Sequence, residues 1–297
     1  MKYIDLHQDL IIRARQPWML CYDDFSDNII KNMNNQFSVI IAAIFPLNYT
    51  EAGVYELNAF REIIKQLMFY KKMRNKIKFN MLISLEGCYG LELDEIEALS
   101  DLGISSYGFT WNYGNAFSSG CSDKKDNGLS EIGSKAVSII MDKHCLIDLA
   151  HLSRKSIMDI LNEKIADKGR VFVSHTGIKE FFDKQRNIDM ECANKVADNK
   201  GIVGIAISKN MVKDLNTFIK CIDAMIDNVG KNAVALGSDM YGIKLKDLIM
   251  PIKEANELKK LELKMRKNFS KAELYNIFFM NAHRFLKHAG LLNTDIG

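Results

Sequence analysis

Several features are scarce or missing in this sequence of 297 residues, and each absence excludes a class of protein. Its six cysteines contain no CxxC pair, so the sequence indicates neither a disulfide framework nor a thiolate zinc site. There is no run of about 18 apolar residues, so no membrane-spanning helix is predicted. Polar residues within the first nine positions leave no room for the apolar stretch of a signal peptide, and we expect a cytoplasmic protein.

An excess of charge of one sign is also lacking. The sequence has 40 Lys and Arg and 37 Asp and Glu, and the resulting net charge of +3 is too small to indicate nucleic acid as a partner. No apolar segment is followed by a GxGxxG or GxxxxGK[ST] loop, so a common nucleotide-binding sheet is not favoured. A content of 47% hydrophobic and 26% charged residues is typical of a globular protein with a large core.

The sequence does contain a regular alternation of apolar runs and amphipathic segments. Strands are predicted at eight short runs: 3–7, 37–45, 79–86, 104–110, 145–150, 171–174, 202–208 and 233–238. Amphipathic helices are predicted between and after them, among others at 59–73, 134–144, 155–165, 218–229 and 270–290. Buried parallel strands that alternate with helices favour one (β/α)₈ TIM barrel over residues 1–297, with an open doubly wound sheet as the alternative.

Polar side chains follow most of the predicted strands, on the face where (β/α)₈ barrels carry their chemistry. In chain order they are His7 and Asp9, Glu86, Trp111, His151, His175 and Asp239. His7 and Asp9 stand two apart in extended chain, so their side chains share one face. Three of the six histidines lie at equivalent strand ends, which a random distribution would not produce. The pattern therefore predicts a shared site at this rim.

The chemistry of this set indicates metal binding. His7, Asp9, Glu86, His151 and His175 offer nitrogen and oxygen but no thiolate, which fits zinc, manganese, iron or cobalt in a catalytic site. These five side chains exceed what one open zinc centre needs, and a carboxylate can bridge two metals about 3.5–4 Å apart. A water shared by two metals ionises near neutral pH, so hydrolysis of an amide or ester is the predicted reaction class.

With these residues in place, the sequence resembles the renal (membrane) dipeptidase family, which are binuclear-zinc metallopeptidases of barrel fold. The strings DLAHLS, VSHT followed by RN, and GSD are specific when they occur together. The matching segments span nearly the whole chain in the order of the family: 5–10, 84–87, 102–115, 128–153, 171–187 and 235–242.

The resemblance implies how the ligands divide between two metals. It implies His7, Asp9 and Glu86 around one ion, and Glu86, His151 and His175 around the other, with Glu86 as the bridge. Zinc is the expected metal, with manganese, cobalt and iron as alternatives.

The resemblance also implies roles for residues that bind no metal. Asp239 matches the acid that handles the proton of the bridging water, and Arg186 matches the arginine that holds the terminal carboxylate of the substrate. Mammalian members have a carbonyl-polarising histidine where this sequence has Trp111, which indicates a changed substrate pocket. The long polar segment 112–130 predicts a loop that covers substrate, with a disordered excursion as the alternative.

Three functions are therefore compared. The first is a metal-dependent dipeptidase acting on short peptides, and the second is a metal-dependent amidohydrolase acting on a cyclic or modified amide or a lactone. The third is a metal-binding protein without catalysis, against which the presence of Asp239 argues because such a protein needs no proton-handling acid. Dimers are frequent in the family, so the resemblance also implies a homodimer.

Overall fold

Eight parallel strands form the centre of the molecule. The computed structural model describes residues 1–11, 27–46, 59–162, 168–250, 252 and 257–292. The strands are β1 (Tyr3–Gln8), β2 (Phe37–Ile44), β3 (Asn80–Glu86), β4 (Ile104–Gly108), β5 (Leu146–Asp148), β6 (Val171–Thr176), β7 (Val203–Ile205) and β8 (Val234–Leu236). Each strand pairs in parallel with the next one in sequence, so sheet order equals chain order.

Helices lie between the strands and after the last one. They are α1 (Asp27–Gln36), α2 (Ala59–Met73), α3 (Leu93–Asp101), α4 (Glu131–Asp142), α5 (Arg154–Asn162), α6 (Met190–Asp198), α7 (Lys209–Val212), α8 (Leu215–Asn228), α9 (Leu258–Met265) and α10, which runs through Lys271–Tyr275, a π-helical turn at Asn276–Met280, and Asn281–His288. Several begin at a capping side chain. Ser130, Asp189, Asp214 and Ser270 each accept a hydrogen bond from the third residue of the helix that follows.

The barrel closes where β8 meets β1. The Asp239 N–H donates to the His7 carbonyl at 3.1 Å, and the Asp9 N–H donates to the Met240 carbonyl at 2.9 Å. The buried Asp5 carboxylate adds to this seam, because it accepts hydrogen bonds from the Ser238 N–H at 2.8 Å and from the Gln8 amide. The seam therefore brings the residues after β1 beside those after β8.

Helix α10 packs at the opposite end of the barrel. Ile4 and Phe172, near the N-terminal ends of β1 and β6, belong to one apolar cluster with Phe279 and Phe285 of α10. The rings of Phe172 and Phe285 lie 5.7 Å apart. The loops that carry the polar residues lie at the other end of the barrel, at the C-terminal ends of the strands.

The predicted (β/α)₈ barrel is confirmed, and the doubly wound alternative is wrong because β8 returns to β1. All eight predicted strands are present, and α2 has the predicted bounds. The predicted strand 145–150 is shorter in the structure, at Leu146–Asp148, and the chain beyond it turns through His151, whose backbone is left-handed with φ 64°. The predicted helix 155–165 begins at Arg154, and residues 163–165 lie outside the described residues.

Candidate metal centre

The predicted ligands meet at the C-terminal ends of the strands. His7 and Glu86 are in the last two residues of β1 and β3, His175 is in β6, and Asp9 follows β1 directly. His151 lies just beyond β5 and is 6% exposed, in a conformation rare for a residue with a Cβ atom. Non-glycine residues held in this region cost free energy and are frequent in functional sites.

Glu86 presents its two carboxylate oxygens to different histidines. Its Oε2 lies 3.5 Å from His7 Nε2, and its Oε1 lies 2.7 Å from His151 Nε2 and 3.8 Å from His175 Nε2. His7 Nε2 is also 3.4 Å from Asp9 Oδ1, and the Nε2 atoms of His151 and His175 are 3.1 Å apart. One carboxylate therefore stands between two groups of potential ligands.

These atoms fit divalent metal ions. Ligand atoms within 4.8 Å of one another form three buried groups among the described residues: His7, Asp9 and Glu86; Glu86, His151 and His175; and His7, His175 and Asp239. Both ring nitrogens of His7 and the Oδ1 atom of Asp9 are buried without a hydrogen-bond partner. Buried polar atoms normally have a hydrogen-bond partner. A metal cation can take the place of that partner, because it binds a histidine lone pair and a carboxylate oxygen at the same time.

Burial and neighbouring charges set the protonation of the histidines. Burial lowers the pKa of His151 to about 4, and the nearby Arg186 acts in the same direction. Burial likewise holds the pKa of His175 well below its usual value. Burial also opposes charge on His7, but the carboxylates of Glu86 and Asp9 outweigh it and raise the pKa of His7 well above its usual value.

The carboxylates of the centre differ among themselves. Burial raises the pKa of Glu86, but His7 and His151 outweigh this and lower it below its usual value. Burial, assisted by the charge of Asp9, raises the pKa of Asp239 well above its usual value. Asp239 has φ 60° and follows β8 in the same way that His151 follows β5.

Gly242 packs directly against two of these carboxylates, and sequence reasoning missed it. A Cβ atom at Gly242 would lie 1.7 Å from Asp9 Oδ2 and 3.1 Å from Asp239 Oδ1. Only glycine leaves room for this approach of backbone to side chains. The signal in the sequence was the glycine three residues after Asp239 in GSDMYG.

Arg186 and Trp111 lie beside the centre. The half-buried guanidinium of Arg186 places Nη2 2.7 Å from His175 Nε2 and donates to the His175 carbonyl at 3.0 Å. The ring of Trp111 lies 6.2 Å from that of His151. Its backbone N–H donates to the Tyr89 hydroxyl at 2.9 Å, so Tyr89, which sequence reasoning also missed, positions the residue.

The loop 112–130 is folded against the barrel rim. The N–H groups of Gly114 and Gly120 both donate to the Asp123 carboxylate, and the N–H of Cys121 donates to the carbonyl of His151 at 2.9 Å. The structure therefore describes an ordered loop beside the candidate ligands, not a disordered excursion.

The sequence model of a family described as membrane dipeptidase (peptidase family M19) matches residues 1–296. The chain belongs to this family. Membership confirms the resemblance and makes the chain a metal-dependent hydrolase of the dipeptidase class, acting on peptide bonds. Within the described residues, no helix has both the length and the apolar character needed to cross a bilayer.

Individual relatives in the family are distant. An uncharacterized protein from the pqqA 5' region of Klebsiella pneumoniae is 25% identical over 184 residues, which is 56% of this chain and 67% of that protein. An uncharacterized dipeptidase of Schizosaccharomyces pombe is 24% identical over 183 residues, or 57% of this chain. The match covers only 43% of that yeast protein.

Solved structures share the fold of the membrane dipeptidase family over nearly the full chain. A dipeptidase of family M19 has a TM-score of 0.83 at 17% identity, covering 98% of this chain and 99% of its own. A metallopeptidase from Rhodobacter sphaeroides, solved with a phosphinate mimic of L-Ala-D-Ala, has a TM-score of 0.83 at 16% identity, covering 97% and 99%. At these identities the likeness supports the fold alone.

Two further residues hold the rings of potential ligands, and sequence reasoning did not assign them. Asn112 Oδ1 lies 3.0 Å from His151 Nδ1, and Ser174 Oγ lies 2.8 Å from His175 Nδ1. Ser174 directly precedes a histidine in VSHT, so a signal was present, whereas Asn112 reaches His151 across 39 residues of chain.

Proposed function

We propose that this dipeptidase binds two divalent metal ions, in the first place zinc, and hydrolyses the peptide bond of dipeptides and similarly short peptides. The observation that carries the proposal is the position of Glu86, whose two oxygens face two separate groups of buried ligand atoms. A dipeptide-like substrate is supported by the relative from Rhodobacter sphaeroides, whose structure holds a dipeptide mimic.

The ligands divide accordingly. His7, Asp9 and Glu86 would hold one ion, and Glu86, His151 and His175 would hold the other. When bound, two such ions supply Lewis acidity, which lowers the pKa of a water between them and polarises the peptide carbonyl.

The remaining residues handle the proton and the substrate. We assign to Asp239 the transfer of a proton from the attacking water to the leaving amine, since its carboxylate lies among the ligands at the end of β8. Arg186 has a planar donor fork at the edge of the centre and suits a terminal carboxylate. Trp111 forms one wall of the substrate pocket beside His151.

Turnover of a panel of substrates tests this function. We expect free dipeptides to be hydrolysed in the presence of zinc or manganese, and cyclic dipeptides and lactones to remain intact. Elemental analysis of protein purified without chelator should approach two metal equivalents per chain. Cleavage of only cyclic or lactone substrates would support the amidohydrolase alternative, and saturation at one equivalent would contradict the binuclear centre.

The setting of the enzyme is part of the proposal. We place residues 1–297 in one catalytic domain, working in the cytoplasm as a homodimer. The free state of all five cysteines within the described residues supports a reducing compartment. Sedimentation equilibrium with and without bound metal measures the oligomeric state.

Acidification is expected to release the two metals in separate steps. Protons compete with metal at any ligand whose pKa exceeds the ambient pH. The raised pKa of His7 lets protons compete for its group at a higher pH than for the group of His151, whose pKa is about 4. Metal content measured after equilibration between pH 8 and pH 4 should show the steps, and a single step near pH 4 would contradict this order.

Arg186 is expected to bind the terminal carboxylate of the substrate, the group that C-terminal amidation removes. Arg186→Ala and amidation of a dipeptide should each lower kcat/KM by about 10- to 100-fold, the value of a charge-assisted hydrogen bond. The combination should cost little more, because both changes remove one contact. Arg154→Ala, which removes an exposed arginine paired with Asp189, is the control. Equal sensitivity of parent and Arg186→Ala to amidation would show that another group binds the carboxylate.

A further inference from the structure

The backbone and the ring of His151 are held by the end of β4 and by the loop 112–130. The carbonyl of His151 accepts hydrogen bonds from Thr110 Oγ1 at 3.0 Å and from the Cys121 N–H at 2.9 Å. Its ring Nδ1 lies 3.0 Å from Asn112 Oδ1. Three contacts from one segment thus fix a residue whose φ of 64° is unfavourable for a side chain.

The contact with Asn112 favours one position for the proton of the His151 ring. An amide oxygen only accepts, so Nδ1 must be the donor in this pair. In this form the lone pair is on Nε2, which faces Glu86 Oε1 at 2.7 Å and His175 Nε2 at 3.1 Å. The other form would donate from Nε2 to Glu86 Oε1, so Asn112 and Glu86 compete for the one proton of the neutral ring. Asn112 therefore directs the ligand atom of His151 toward the bridging carboxylate.

The other two histidines are not fixed in this way. His175 Nδ1 contacts the hydroxyl of Ser174, which can either donate or accept, and the donor Arg186 Nη2 lies 2.7 Å from its Nε2, the candidate ligand atom itself. Neither ring nitrogen of His7 has a hydrogen-bond partner among the described residues. Within the described centre, Asn112 is thus the residue that offers a pure acceptor to a histidine ring nitrogen on the side away from the candidate ligand atom.

Asn112 is also part of the folded loop. Its carbonyl accepts a hydrogen bond from the Ser122 N–H at 2.8 Å, so its backbone is tied to the residues beside Cys121, which contacts His151. A displacement of the loop therefore removes the amide acceptor and one of the backbone contacts of His151 together.

We propose that Asn112 is a positioning residue that holds His151 in the Nδ1–H tautomer, and that through it the loop 112–130 sets the metal affinity of the group Glu86, His151 and His175. The proposal rests on the two-metal function argued above. It predicts that the loop on the substrate side of the barrel controls one metal and leaves the other unaffected.

Zinc affinity of matched variants tests the proposal. Asn112→Leu removes the acceptor at similar volume, and Asn112→Asp retains an acceptor oxygen. The control is Asn115→Leu in the same loop, since Asn115 bonds only to the backbone, at the Phe109 carbonyl and the Phe117 and Ser118 N–H groups. Competition with a chromophoric chelator should show one equivalent bound 10- to 100-fold more weakly in Asn112→Leu, as is usual when a ligand loses its orienting partner. Asn112→Asp and Asn115→Leu should bind both equivalents as the parent does.

The ¹⁵N chemical shifts of the histidine rings give a second measurement, on metal-free protein. Because Asn112 and Glu86 compete for the His151 proton, Asn112→Leu should shift the ring toward the Nε2–H form relative to the parent, and Asn112→Asp should shift it toward the Nδ1–H form. Normal zinc binding by Asn112→Leu, or equal weakening of both equivalents in Asn112→Leu and Asn115→Leu, would overturn the positioning role. If the parent protein binds only one equivalent of zinc, the two-metal proposal is wrong. The ¹⁵N shifts of the histidine rings then test the positioning role of Asn112 independently of that proposal.

Discussion

Asp239→Asn is expected to lower kcat by about 10²–10⁴-fold, the usual contribution of general acid–base catalysis, with metal content nearly unchanged. The substitution keeps the shape of the side chain but removes the basic oxygen. Burial and the charge of Asp9 raise the pKa of Asp239 in the protein itself, and nearby cations would shift it back toward the ionised form that accepts a proton.

Metal analysis of the same sample separates the two roles open to Asp239. Its carboxylate lies within 4.8 Å of ligand atoms on His7 and His175, so it is also near enough to be a ligand. Loss of metal in Asp239→Asn would show that Asp239 is a metal ligand. A normal kcat in the fully loaded variant would show that another group transfers the proton.

Glu86→Gln is expected to remove at least one metal equivalent and to lower kcat/KM by about 10³-fold or more. The amide retains one acceptor oxygen, so it cannot serve both ligand groups as the Oε1 and Oε2 atoms of Glu86 do. A metal contributes several kcal/mol of transition-state stabilisation, and about 4 kcal/mol corresponds to 10³-fold in rate.

A second buried glutamate provides the control for this substitution. Glu62 is 2% exposed and pairs with Lys65 on α2, and it belongs to none of the candidate ligand groups. Glu62→Gln should therefore leave metal content and kcat/KM near those of the parent. Two equivalents retained in Glu86→Gln would show that Glu86 does not bridge.

The residues whose proximity was predicted from the sequence share a physical reason. His7 and Glu86 lie in strands, and in a parallel barrel the strand ends must converge, so alternation of apolar runs was enough to place them together. The family strings then added Arg186 and a role for Asp239, and the structure places both residues beside these two.

Other features depend on loop geometry that no local pattern encodes. Asn112 reaches His151 because the loop after β4 turns back over β5, and Tyr89 reaches Trp111 between two loops. The left-handed conformations of His151 and Asp239 are uncommon for any residue with a side chain, although His and Asp adopt them more often than most, and the assembled contacts around them hold them there. Such contacts become visible only once the barrel is assembled.

The seam between β8 and β1 has a consequence for how the protein folds. Asp5 and Ser238 are hydrogen-bonded across 233 residues of chain, so the ring closes only after nearly all of the strands have been synthesised. Contacts of such long range are slow to form. Metal ions that bind ligands from both sides of the barrel stabilise the closed ring by mass action. Removal of the metal by a chelator should therefore open the seam before other parts of the barrel. Hydrogen exchange at the amides of Asp9 and Asp239 should then become faster.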